Sequence, residues 1–113
     1  MLATFRAIQQ SLREVQRLHH IQIRENSILA RVAAKKLGVS QVALTIGKTI
    51  HLCRTPRAEF LANERWVKHE LAHVEQFRKH GFLRFIGLYL WESVRKGYYN
   101  NRFEIEARAK ESA

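Results

Sequence analysis

Between Asn63 and Gly81 the chain carries its clearest helix signal, and inside it stands His69-Glu70-Leu71-Ala72-His73. Asn63 offers a capping side chain, Glu64 places negative charge in the first turn, and Gly81 follows Lys79 and His80 as a terminator. These signals predict a helix from Glu64 to His80. Residues four apart lie one turn apart on the same face, so His69 and His73 project side by side. Two imidazoles so placed can share one zinc ion, with Glu70 in reach of a water at the metal. The plainer alternative is a surface helix carrying two unrelated histidines.

A catalytic zinc takes three protein ligands and keeps one position open. The chain has no Asp, and its one Cys, Cys53, lies in a strand-like run that suits a small buried side chain. The third ligand is therefore a His or a Glu. His80 stands two turns beyond His73, roughly 10 Å along a straight helix, which is too far. The longer H-E-x-x-H-x-x-G-x-x-H pattern fails, with Gln76 in place of its Gly and Lys79 in place of its last His. His19, His20 and His51 lie upstream and are more ordinary as exposed or hydrogen-bonded side chains. Glu104 and Glu106 remain, on a last helix that Asn101 can cap. Glu104 is the first choice and Glu106 the alternative, as ligand or as support behind one. Small Ala107 would let this helix pack closely. Each Glu has a competing role, Glu104 in a capping box with Asn101 and Glu106 as a solvated helix charge. Gln76, one turn beyond His73, can line a cleft or support a ligand, and Tyr98 and Tyr99 are further candidates to line it.

The rest of the chain reads as mostly helical, of α+β class. Its 113 residues are expected to form one domain. Residues 1–40 hold two helices. The first, from about Ala3 to His20, carries Phe5, Ile8, Leu12, Val15 and Leu18 at helical spacing. The second starts near Ser27, with Ile28, Leu29, Val32 and Ala33 expected on its buried face, and stops at Gly38. Residues 41–54 read as a β-hairpin, Val42–Ile46 and Thr49–Cys53 around Gly47-Lys48. Thr55-Pro56 suggests a cap and first position of a short helix ending near Leu61. After the 63–80 helix, residues 82–96 are apolar nearly all round and are expected to form a core helix, with membrane contact as the alternative. Gly97 ends that segment, and residues 101–111 form the helix of the third ligand.

The formal net charge is +10, from twenty Lys and Arg against ten Glu. Such a balance favours anionic partners, yet the cations are scattered and no nucleic-acid motif accompanies them, so nucleic acid is not the expected partner. Peripheral membrane contact stays open. Gln9, Gln10 and Arg13 interrupt any N-terminal apolar run, and no segment is long enough to span a bilayer. A cytoplasmic location is the expectation.

The segment Trp66-Val67-Lys68-His69-Glu70-Leu71-Ala72-His73-Val74-Glu75-Gln76, followed by Phe103-Glu104-Ile105-Glu106-Ala107, resembles bacterial minimal gluzincins. These carry H-E-x-x-H and then E-x-x-A on a later helix. The chain is especially similar to the small zincin-like domains related to those of the core proteins of extracellular contractile injection systems. The resemblance runs from about Val42 to Ala109. It implies a zincin-like domain with the hairpin packed beside the H-E-x-x-H helix and an edge strand along the substrate cleft. It also implies one Zn²⁺ on His69, His73 and Glu104. One departure stands out: where many gluzincins place an Asp that bonds a ligand His, this chain has Arg108. A backbone carbonyl or Glu106 would have to take that part.

The expected function is zinc-dependent peptide-bond hydrolysis, with Glu70 as general base and a peptide or protein substrate lying against Thr49–Cys53 or Val42–Ile46. The alternatives are a non-catalytic zinc-binding module and, further off, a basic protein that binds nucleic acid or a membrane surface.

Overall fold

A computed structural model describes residues 2–17 and 21–112. His19 and His20, Leu18, and the expected end of the first helix lie outside the described residues. The elements run α1 (Leu2–Arg17), β1 (Gln22–Arg24), α2 (Ile28–Leu37), β2 (Val42–Ile46), β3 (Thr49–Cys53), α3 (Arg57–Ala62), α4 (Glu64–His80), α5 (Phe82–Asn100) and α6 (Arg102–Lys110). The α+β, mostly helical class is thus borne out.

The hairpin pairs in the register its two-residue turn dictates, Val42 opposite Cys53 and Ile46 opposite Thr49, with Gly47 at positive φ in the turn. A third strand joins it. β1 runs parallel to β3, Gln22 opposite Thr49 and Arg24 opposite His51, giving the order β1-β3-β2. Three residues with one apolar side chain between two polar ones are too few to register as a strand in sequence. The addition matters, because β3 becomes the central strand. Thr49–His51 is therefore paired on both sides, and of the two hairpin strands β2 keeps a free edge along its length.

Apolar side chains gather in two large clusters and a smaller one under α2. Val15, Ile50, Leu52, Phe60, Leu61, Val67 and Leu71 join α1, β3, α3 and α4 into the main core. Phe77, Phe85 and Phe103 join α4, α5 and α6, with ring centroids 4.6 Å apart for Phe77–Phe85 and 4.9 Å for Phe85–Phe103. This aromatic cluster sets how the last helix lies against α4. Ala107 is fully buried, so α6 approaches closely there.

Local signals placed most helix ends well. Asn63 accepts from the Trp66 N–H at the start of α4, and Ser27 accepts from the Ala30 N–H at the start of α2, which Gly38 closes in the left-handed conformation. Thr55 and Pro56 each sit one place off: Pro56 is the cap residue of α3, and the Thr55 hydroxyl donates to the Cys53 carbonyl. Cys53 is buried as expected.

Two buried faces differ from expectation. In α2 the small Ala30 and Ala34 are buried, packing with Cys53 and Val42, while Ile28, Leu29 and Val32 face outward. Alanines let a helix sit close on a sheet, so the short side chains went inward and the long ones were left outside. In α5 Phe85 is buried and Ile86, Leu88 and Tyr89 pack beside it, but Leu83, Leu90, Trp91 and Val94 are exposed. One side of α5 is core and the other is bare. Gly97, at positive φ, breaks the helical path of α5 and turns the chain toward α6. Among the described residues no helix is long and apolar enough to cross a membrane.

Candidate metal centre

Two helices distant in sequence supply the donors. His69 and His73 project from α4, one turn apart, with ring centroids 5.0 Å from each other. Across from them α6 presents Glu104, whose Oε1 lies 3.0 Å from His69 Nε2 and 3.1 Å from His73 Nε2. The three donor atoms all fall within 4.8 Å of one another. Tetrahedral coordination at about 2.0–2.1 Å puts neighbouring ligand atoms about 3.3 Å apart, so the spacing fits one small divalent cation. Two imidazoles and a carboxylate are also the donor chemistry that zinc accepts. Glu106 is not part of the cluster. His51 bonds Ser27 Oγ at 2.8 Å, and His80 stacks on Phe85, so neither joins it.

Glu104 is buried, and both its oxygens are engaged, since Oε2 accepts from the Tyr89 hydroxyl. The capping box is absent. Asn101, 0% exposed, caps α6 alone by accepting from the Phe103 N–H, and its amide donates to Tyr89 O and Ser93 Oγ. That leaves the Glu104 side chain to face the imidazoles.

The remote ring nitrogens are held as well. His73 Nδ1 donates to Gln76 Oε1 at 2.8 Å, and the Gln76 amide in turn donates to Phe103 O and Glu106 Oε1. His69 Nδ1 donates to Glu111 Oε2 at 2.8 Å. Anchoring each Nδ1–H directs the Nε2 lone pair at the shared centre, which is how a histidine ligand is fixed in tautomer and orientation. The acceptor expected in place of Arg108 is therefore supplied twice, by Glu111 for His69 and by Gln76 for His73. Glu106 acts only through Gln76. Arg108 instead lies over the Tyr99 ring and donates to the Tyr99 carbonyl.

Glu70 is buried beside the cluster, and Thr45 on β2 donates to its Oε1 at 2.8 Å. Burial raises the Glu70 carboxyl above the usual carboxylate range, against the pull of His73, Thr45 and His69. A carboxylate with a raised pKa is a better proton acceptor. Burial also pushes Tyr98 and Tyr89 up, helped by the Glu104 charge, so both phenols stay neutral donors. Glu104 itself moves the other way: burial opposes ionisation, but the bonds from His69 and His73 and the His73 charge hold it well below the carboxylate range.

A cavity of about 280 Å³ opens over the cluster, bounded by β2, α4 and α5, and a second of about 420 Å³ adjoins it at His69 and Glu70. Tyr98 lines both. Gln76 and Tyr99 line neither: Gln76 sits behind His73, and Tyr99 is turned out to Arg108. Thr45, Tyr89 and Glu111 are the residues that sequence reasoning missed. Glu111 left one trace, since it follows Glu104 by seven residues, two turns along the same face. Thr45 left none.

Burial pushes the His69 imidazole down, but its bonds to Glu104 and Glu111 and the charges of Glu70 and Glu104 prevail and lift it to about 9. In metal-free protein the stability this contributes is full below the ordinary histidine value near 6.5 and is lost as pH rises through about 9. A cation must displace that proton. Its affinity is expected to rise about tenfold per pH unit for each proton displaced, up to pH about 9. Titrations with zinc in a series of buffers, read with proton release, check this; a flat profile over that range contradicts it.

No curated protein and no solved structure matches the chain. The profile of the eCIS core domain matches residues 4–81, which takes in the hairpin and His69, Glu70 and His73 but stops short of α5, Glu104 and Glu111. With well over half of its 113 residues matched, the chain belongs to the eCIS core domain family.

Proposed function

We propose that the protein is a zinc-dependent peptidase of the gluzincin type, with His69, His73 and Glu104 holding the ion. The observation that carries this reading is a convergence: donors from α4 and α6 meet within 4.8 Å beside a buried carboxylate, at the floor of a cavity walled by an open strand edge. When bound, zinc supplies Lewis acidity, which makes a water more acidic and polarises a carbonyl.

The protein's own groups do the rest. Thr45 fixes Glu70 Oε1, which leaves Oε2 to take a proton from the attacking water and pass it to the departing amine nitrogen. Tyr98, a neutral phenol facing the shared cavities, donates to the oxygen on which negative charge develops. Tyr89 keeps the Glu104 carboxylate from rotating. Substrate backbone pairs with the free edge of Val42–Ile46, since β3 lies at the centre of the sheet and Thr49–His51 is paired on both sides.

The test combines metal analysis with mass spectrometry of a peptide mixture incubated with the protein. One zinc per chain is expected, with cleavage that stops on chelation and returns on adding zinc. Cleavage indifferent to chelator, or absence of bound metal, overturns the reading. Bound zinc without cleavage of any peptide overturns its hydrolytic part and leaves the ion as a staple between α4 and α6.

A further inference from the structure

The outward face of α5 has no role in the cluster, yet it is not an ordinary surface. Leu83 and Val94 are each 82% exposed and Trp91 60%, and with Leu90 they form one stripe at helical spacing. Gly87, in the middle of that stripe, has nothing within 4 Å of where a side chain would start. The outward face of α2 is similar: Ile28 is 74% exposed, with Leu29 and Val32 beside it.

The two helices border one cavity. Ala33 and Leu37 of α2 and Ile86 and Leu90 of α5 line the one cavity over the metal cluster. Each stripe thus adjoins the cavity: Leu29 stands one turn from Ala33 on α2, and Leu90 of α5 belongs both to the stripe and to the lining.

Charge decides what such a rim fits. α2 carries Arg31, Lys35 and Lys36, and α5 carries Arg84, Arg95 and Lys96. Against these six cations the two helices hold one acid, Glu92, which is buried, accepts from the Arg102 N–H and pairs with Lys96 at 3.4 Å. Arg95 lies over the Trp91 ring at 5.8 Å. Exposed aliphatic side chains and a tryptophan bordered by Lys and Arg, with no exposed acid on either helix, match an anionic lipid surface: the apolar groups enter the acyl boundary and the cations reach headgroup phosphates. A protein interface is a poorer match, since charged residues are depleted at the centre of such contacts and six cations lie along this one.

We infer that the α2–α5 rim docks on anionic lipid bilayers, with the cavity mouth toward the membrane. This does not rest on the proposed hydrolysis, and its test reads partition alone.

The experiment measures co-sedimentation with vesicles of phosphatidylcholine and of phosphatidylcholine mixed with phosphatidylglycerol, together with tryptophan emission. Binding to the anionic vesicles is expected to exceed binding to the neutral ones by more than about tenfold and to weaken with salt. The double variant Leu83→Glu and Val94→Glu, at positions too exposed to disturb the core, is expected to lose about tenfold or more while keeping its circular dichroism. A blue shift of emission on vesicle addition is expected, and Trp91→Phe removes it while Trp66 stays. Equal or absent partition on the two vesicles overturns the inference, as does an unaffected double variant. So does a dimer in sedimentation velocity that the same two substitutions dissociate, because the rim would then be covered by a second copy.

Discussion

Glu70→Gln is expected to lower peptide hydrolysis by about 10²–10⁴-fold while leaving zinc content unchanged. The amide keeps the shape of the side chain and still meets the Thr45 hydroxyl, which lies 2.8 Å from Oε1 in the native protein. What it loses is the ability to accept a proton. Glu70 contributes none of the three clustered donor atoms, so cation binding does not depend on it directly. Stability should also hold, because the native carboxylate is buried and burial raises its pKa; a neutral isostere removes that penalty. Turnover, metal stoichiometry and melting temperature, measured together on one preparation, check the prediction. Unchanged turnover would remove Glu70 from the reaction; loss of zinc would mean that it helps hold the ion.

Glu104→Ala is expected to abolish tight zinc binding, whereas Glu106→Ala weakens it by no more than about 10–100-fold. The contrast follows from where each carboxylate points. Glu104 Oε1 lies 3.0 Å and 3.1 Å from the two Nε2 atoms, so its removal leaves a two-histidine site. Among the described residues Glu106 bonds the Gln76 amide alone, 3.1 Å away, and acts on His73 through that amide. The Glu104 variant also takes the shared acceptor from the Tyr89 hydroxyl and two imidazoles, which in the metal-free protein costs about 1–3 kcal/mol for each donor left buried and unpaired. Competition titrations against a chromophoric chelator separate the two variants. Equal loss from both would mean that α6 matters as a scaffold and not through the Glu104 carboxylate.

Local sequence was enough for α4. Its cap at Asn63, its acid at Glu64 and its stop at Gly81 are neighbours in the chain, and the four-residue spacing of His69 and His73 depends only on helical geometry. The hairpin was legible for the same reason, as a two-residue turn between β-rich runs sets its own register. Period failed where the partner surface decided. In α2 the alternation of sizes, not of polarity, chose the buried face, because the sheet beneath admits Ala30 and Ala34 but not Ile28 or Val32. In α5 an apolar sequence on all sides left no clue to which side would be covered.

Two readings of Glu104 were open in the sequence, as capping partner of Asn101 and as a neighbour of the H-E-x-x-H histidines. The chain alone determined that α4 would present two imidazoles and a carboxylate together, because those residues share one helix. Only the tertiary structure chose between the roles of Glu104, found Glu111 for the bare side of His69, and set Thr45 against Glu70. Those pairs lie 25 to 42 residues apart, and what brings them together is the docking of α6 through Phe77, Phe85, Phe103 and Ala107 and of β2 beside α4. Packing of that kind is a sum over many distant contacts, and no local repeat encodes it.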